Sequence, residues 1–264
     1  MWYDNSGIYP AMEQLNTVGK KIFLLYPHSV VRDEMLDWLI MAGYETYTVA
    51  NEKKALKLLE KFPGSIMFIN IDEGLREDEW EGYIRGILEN PKTKDSRLGI
   101  LSYNQDRNLM KKYLMEMVLP CGYIQLKLGF EESKNIILHA LEANEAQGRR
   151  KCLRAECEDD INAIINFKGD TVLLQGKILD ISSTGIAVRL QSRANLQSNS
   201  LIRNVQLKLR GGILMSDMIV MGQRINDNGV YIMLFASKLP EDDKLVIHRY
   251  IKQRLQKFID AVRV

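Results

Sequence analysis

Residues 179–190 read "LDISSTGIAVRL". An apolar, β-branched run enters a short polar centre, Ser182 to Gly185, and a second apolar run leaves it. That is the pattern of two strands joined by a tight turn, with serine and threonine hydroxyls supplying local hydrogen bonds and glycine closing the turn. Working outward, the same short strand-like runs recur as "INAIINFKG", "TVLLQGKILDIS", "GIAVRLQ", "VQLKLRGG", "MIVMGQRIND" and "GVYIMLFA". Turn signals separate them at Lys168-Gly169-Asp170, Gly211-Gly212 and Asn228-Gly229. Short strands at this spacing predict an antiparallel barrel or sandwich. The tail "PEDDKLVIHRYIKQRLQKFIDAV" predicts a helix, opened by Pro240 and the acids Glu241 to Asp243. Its expected apolar stripe is Leu245, Ile247, Ile251, Leu255, Phe258 and Ile259.

The period changes upstream. From about Lys20 to Gln147, compact apolar runs ("KIFLLY", "ETYTVA", "SIMFINI", "RLGILSY", "GYIQLK") alternate with helical patterns such as "SVVRDEMLDWLIMAGY", "EKKALKLLEKF" and "EESKNIILHALEANEA". Strands alternating with helices predict a parallel sheet covered on both faces. A length of 264 residues suits two domains, at roughly 100–200 residues each. The boundary is expected near Gly148, giving an α/β domain over 20–147 and a strand-rich domain with a C-terminal helix over 148–264.

Composition limits the function. The net charge is +2 and the charged share 27%, which argues against a general nucleic-acid binder, since phosphate neutralisation needs a broad basic face. Any functional positive charge must be local. Cys121, Cys152 and Cys157 form no C-x-x-C pair and their count is odd, so a reduced, cytoplasmic setting is expected. The first residues lack a basic-then-apolar leader, and no apolar run reaches the ~18 residues of a membrane span. The cysteines and the scattered His28, His139 and His248 suggest no metal site, and no cofactor or catalytic group is expected.

The local charge sits at 148–157, "GRRKCLRAEC". Arginine's planar fork pairs bidentately with phosphate oxygens or with the O6/N7 edge of guanine, where an ammonium cannot. Downstream, the Asp180 carboxylate suits a pair of N–H donors, and Ser182 can donate through its hydroxyl or backbone. Gly185 would permit a left-handed turn or a close backbone approach.

Taken together, Arg150-x-x-x-Arg154, then Asp180-x-Ser182-x-x-Gly185, then the ending "GVYIMLFASKLPEDDKLVIHRYI" resemble the PilZ family of cyclic di-GMP receptors over roughly residues 149–251. The resemblance implies an antiparallel β-barrel with a C-terminal helix and a non-catalytic role. It also implies cyclic di-GMP as ligand, bound by Arg149, Arg150, Arg154, Asp180, Ser182 and Gly185, with Arg149 as supporting charge. On this reading the ligand orders the Arg149–Arg154 hinge and changes how the domains are oriented. The element order of 20–147, above all "LLYPHSVVRDEMLDWLIMAGYET", resembles the flavodoxin-like receiver domain of bacterial response regulators. Tyr26 and Pro27 fall on that family's acidic pair, Asn70 on its phosphate acceptor, Ser102 on its switch hydroxyl and Lys127 on its lysine. Asp72 lies two residues past the acceptor. Without metal ligands and a carboxylate nucleophile, this half is expected to be a protein-interaction domain that is not phosphorylated. Competing readings are a response regulator phosphorylated near Asn70 or Asp72, and a scaffold in which neither half binds ligand. An RNA-binding barrel is disfavoured, because the strands lack exposed aromatics alternating with basic residues.

Overall fold

The computed structural model describes residues 19–126, 130–148, 152–169, 172–192, 194–224, 227 and 229–263, the side chains of 30, 31 and 130 excepted. The chain divides into two compact units between Lys151 and Cys152, with the last residues, 259–264, grouped with the first.

In the first unit, β1 (Ile22–Leu25), β2 (Thr46–Val49), β3 (Ile66–Asn70), β4 (Arg97–Ser102) and β5 (Tyr123–Gln125) form an all-parallel sheet in the order β2-β1-β3-β4-β5. This is the flavodoxin-like order, and the expected α/β fold is observed. The helices are α1 (Ser29–Met41), α2 (Glu52–Lys61), α3 (Glu77–Glu89), α4 (Arg107–Lys111, running into a π-helical turn at Lys112–Glu116) and α5 (Phe130–Ala143). Every residue of β1 and β3 is buried, because helices cover both faces. Ile22 and Leu24 of β1 and Phe68 of β3 pack with Met35, Leu39, Ile137 and Leu141 of α1 and α5 on one face. Their alternating neighbours, such as Phe23, Leu25, Met67 and Ile69, point to the other.

In the second unit the strands are antiparallel. β7 (Ile164–Lys168), β8 (Leu173–Ser182), β9 (Gly185–Leu190), β10 (Leu201–Leu209), β11 (Gly212–Gln223) and β12 (Val230–Phe235) run in the order β8-β7-β10-β11-β12-β9. Pairing of β8 with β9 closes the barrel, which leaves those edges no free ladder. A seventh strand, β6 (Arg154–Glu156), pairs with the Asp180–Ser182 end of β8, beyond the Leu173–Lys177 stretch that β7 covers. Ile165, Phe167, Ile178, Ile181, Val188, Val205, Leu207 and Met218 are all buried. The tail helix, α6 (Glu241–Asp260), buries Ile247, Tyr250, Ile251 and Leu255. The expected stripe is corrected at two positions. Leu245 and Phe258 are 43% and 49% exposed, and Tyr250 takes a buried place because its hydroxyl donates to the Asp160 carboxylate at 2.9 Å.

Candidate functional site

Three residues, Arg154-Ala155-Glu156, pair antiparallel with the Asp180–Ser182 end of β8, in the register Arg154↔Ser182, Ala155↔Ile181 and Glu156↔Asp180. Ala155 and Ile181 face inward and are buried, so Arg154 and Glu156 face out. Arg154 is therefore one diagonal step from Asp180, with backbones roughly 7–8 Å apart, well within the reach of a long side chain. The Arg154 guanidinium is exposed and makes no hydrogen bond or ion pair among the described residues. A segment read from sequence as flexible hinge up to Arg154 thus ends in a strand that already holds that residue. Arg149 and Arg150, the other two arginines of the expected site, lie outside the described residues, as does Lys127 of the α/β half.

Asp180 sits where the β8–β9 ladder slips by one residue, between Ile178 and Asp180. A bulge of this kind re-aims a side chain, and here it puts Asp180 opposite Ala187 at the barrel rim. Its carboxylate is 18% exposed, and its Oδ2 accepts from the Arg224 guanidinium at 2.9 Å. Ser182 is buried, and its Oγ lies 3.2 Å from the Gly185 carbonyl and 3.1 Å from the Thr184 hydroxyl. It also accepts the Thr184 N–H at 3.3 Å. The serine hydroxyl is used inside the turn. Gly185 is not in the left-handed region, so the first of its two expected roles falls away. The second holds: a Cβ there would lie 2.3 Å from the Met233 carbonyl oxygen of β12. Ser182 and Gly185 frame the turn, while Arg154 and Asp180 carry polar groups that the turn does not use.

Two further arginines lie toward the other end of β9 from the turn, and sequence reading missed both. Arg189 of β9 donates to Asp227 at 2.9 Å and to Glu158 at 3.4 Å. Arg224 closes the turn after β11: its N–H donates to the Val230 carbonyl at 2.8 Å, and its own carbonyl accepts from Asp227 N–H at 3.2 Å. The tail helix reaches the same strand from outside, since Arg254 Nε donates to the Glu156 carbonyl at 2.8 Å. Its guanidinium also grips Asp159, with Lys257 at 2.8 Å, and these hydrogen bonds hold the Asp159 carboxyl well below the usual carboxylate range. The arrangement can receive a base edge through the free Oδ1 of Asp180 and an anion or guanine O6/N7 edge through Arg154.

The crevice at the C-terminal end of the parallel sheet is occupied by the chain itself. Asn70 is fully buried and donates to the Tyr26 carbonyl at 2.8 Å. Asp72 accepts from the Ser102 hydroxyl at 2.5 Å and from the Tyr103 N–H at 2.7 Å. The Tyr26 hydroxyl donates to Glu52 at 2.6 Å, and burial together with that carboxylate pushes its pKa up to about 12. The hydroxyl and amide that could receive an incoming oxyanion are thus bound to a side chain of the same chain. Among the described residues there is no cluster of three or more His, Cys, Asp or Glu able to hold a metal ion, and no helix is long and apolar enough to cross a membrane.

No protein-family model matches the chain, and no curated protein matches it. Solved structures do. The PilZ domain of YcgR from Escherichia coli, with c-di-GMP, matches 43% of this chain over 99% of its own length, at 16% identity and a TM-score of 0.36. The K. pneumonia MrkH–c-di-GMP complex matches 39% of this chain at 19% identity and a TM-score of 0.33. The inhibitor of motility MotI/DgrA of Bacillus subtilis matches 41% at 18% identity and a TM-score of 0.33. The chain is similar to PilZ domains. It spans about half the length of the MrkH and MotI chains, 51% in each case. In the barrel of this chain, Arg154 and Asp180 lie beside the Ser182–Gly185 turn, and Arg224 and Arg189 lie toward the other end of β9.

Proposed function

We propose that the protein is a non-catalytic bacterial effector, cytoplasmic in setting, whose PilZ-like barrel binds cyclic di-GMP. One observation carries the reading. The β6–β8 register brings an arginine with no partner among the described residues next to the Asp-x-Ser turn, although 26 residues separate Arg154 from Asp180 in sequence. A guanidinium and a carboxylate on neighbouring strands are complementary to a guanine that presents acceptors on one edge and N–H donors on the other. Arg149 and Arg150 would extend the grip onto the phosphates, and ordering of their segment by ligand would link binding to domain orientation. Ser182 and Gly185 contribute by holding the turn in shape. The receiver-like unit serves as a surface for a protein partner. Two facts support that assignment over phosphorylation: the buried amide Asn70 stands at the acceptor position, and the Asp72 carboxylate is already hydrogen-bonded.

Titration calorimetry of the full chain with cyclic di-GMP tests the proposal. Saturable heat is expected, with at least a tenfold loss of affinity in Arg150→Ala and in Arg154→Ala. Absence of heat, or unchanged affinity in both variants, would overturn it.

A further inference from the structure

Asp180 is the one carboxylate of the expected site, and it does not stand alone. It is mostly shielded from water, on a bulged strand, and a mostly buried carboxylate left without a partner is costly. Arg224 supplies that partner through a single 2.9 Å bond to Oδ2. An ionised carboxylate has about four lone-pair sites, so one such bond restrains its rotation and leaves most of its capacity unused. Oδ1 accepts no hydrogen bond among the described residues. Arg224 is itself fixed at both ends. Its backbone closes the β11–β12 turn through Val230 and Asp227, and Asp227 is latched to β9 by Arg189 at 2.9 Å. Arg189 in turn reaches Glu158, two residues after β6. The pair Arg224–Asp180 is therefore the inner member of a network joining β8, β9, the β11–β12 turn and the exit of β6. Three of its members (Asp180, Arg189 and Arg224) lie on or directly after strands of the closed barrel, which limits the freedom of each to move.

We infer that Arg224 is a positioning residue of the ligand site, holding the Asp180 carboxylate in the orientation that receives the N1–H and N2–H donors of a guanine. This deepens the proposed function and rests on it. The consequence is selectivity. Adenine offers an unprotonated N1 where guanine offers N1–H, so a fixed carboxylate meets a lone pair and repels it. A carboxylate free to rotate could turn away from adenine and would discriminate less. Pre-orientation by a neighbouring group is the means by which sites convert a single polar side chain into specificity.

The test compares cyclic di-GMP with cyclic di-AMP, two ligands of equal charge and backbone that differ at the base edge. Affinities of the full chain are measured for the wild type, Arg224→Ala, Arg224→Lys, Asp180→Ala and the double variant Arg224→Ala/Asp180→Ala. Near-ultraviolet circular dichroism serves as the check on folding. In Arg224→Ala, cyclic di-GMP binding is expected to weaken about tenfold or more, with cyclic di-AMP binding changed little, so the selectivity ratio collapses. Arg224→Lys restores part of the ratio, since an ammonium can still hold one carboxylate oxygen. In the Asp180→Ala background, removing Arg224 has no further effect on the ratio. An unchanged ratio in Arg224→Ala, an equal loss for both ligands, or a further loss of ratio in the double variant would overturn the inference. Tighter cyclic di-GMP binding in Arg224→Ala would overturn it too, by making Arg224 a competitor for Asp180. A wild type that binds neither ligand removes the ligand reading itself, and this inference falls with it.

Discussion

Gly185 and Arg154 belong to the same expected site but act on different physics. The glycine sits opposite Leu234 of β12, and its missing side chain is what lets the two strands approach. Gly185→Ala is expected to cost about 1–3 kcal/mol of barrel stability, the usual range for forcing an extra methyl group into packed structure. A lowered denaturant midpoint with reduced ligand binding is the expected pair of results. Arg154→Ala should change stability by no more than about 0.5 kcal/mol, as for other exposed substitutions, while abolishing most of the binding. Equal destabilisation by the two changes would remove the division between frame and contact. Asp72 gives a similar separation in the first unit. Its carboxylate holds the β4–α4 loop through Ser102 and Tyr103, so acetyl phosphate with Mg²⁺ should leave the intact mass unchanged. Asp72→Ala should raise hydrogen exchange at the Tyr103 amide, whose acceptor is then gone. A stable gain of one phosphoryl group in the wild type would restore the response-regulator reading.

At the scale of elements, α6 and β6 depend on each other. The short strand contributes one buried side chain, Ala155, and is tied from outside by the Arg254–Glu156 bond and the Arg254–Asp159–Lys257 cluster. The Asp159 carboxyl is depressed in the folded state, first by its hydrogen bond from Arg254 and then by that from Lys257. A depressed carboxylate contributes stability that is fully present above its unfolded pKa, about 3.9, and is lost as pH falls toward the folded value. The clamp should therefore hold at neutral pH and loosen below about pH 4, and its size is modest because Asp159 is 58% exposed. Asp159→Asn should lower the neutral-pH midpoint slightly and flatten the acid limb of stability against pH. An acid limb identical to the wild type would show that other carboxylates carry it. These elements differ in how far the sequence announced them. Strands with buried, β-branched faces such as β8 and β9 could be read directly, because alternation is a local signal. Arg154-Ala155-Glu156 has no such signal, since only its partner on β8 makes it a strand. The Arg224–Asp180 pair was equally silent: 44 residues apart, it exists because the barrel closes, and nothing near "MGQRIND" points to it. Asp180, Ser182 and Gly185 could be named from the resemblance of their motif to the PilZ family, but telling the turn-building groups from those the turn leaves unused needed the register.

For the whole molecule, the two units bury separate cores, and the proposed ligand bears on only one of them. Thermal unfolding should show two transitions. Cyclic di-GMP at a hundred times its Kd should stabilise the barrel by about 2.7 kcal/mol and leave the parallel-sheet unit where it was. The thiols provide a second reading of the same event. Cys121 and Cys157 are buried, and burial pushes their pKa values up to about 12 and about 11, so both should resist alkylation at neutral pH. Cys152 is half-buried and lies between Arg150 and Arg154, inside the segment that the ligand is proposed to order. One thiol of three should therefore react readily with a maleimide, and saturating cyclic di-GMP should slow it several-fold. The protection should disappear in Arg154→Ala at the same ligand concentration, because the ordered segment would have lost its anchor on β6. Binding with an unchanged Cys152 rate would mean that the ligand is held by the barrel rim alone. The segment between the units would then play no part in the signal.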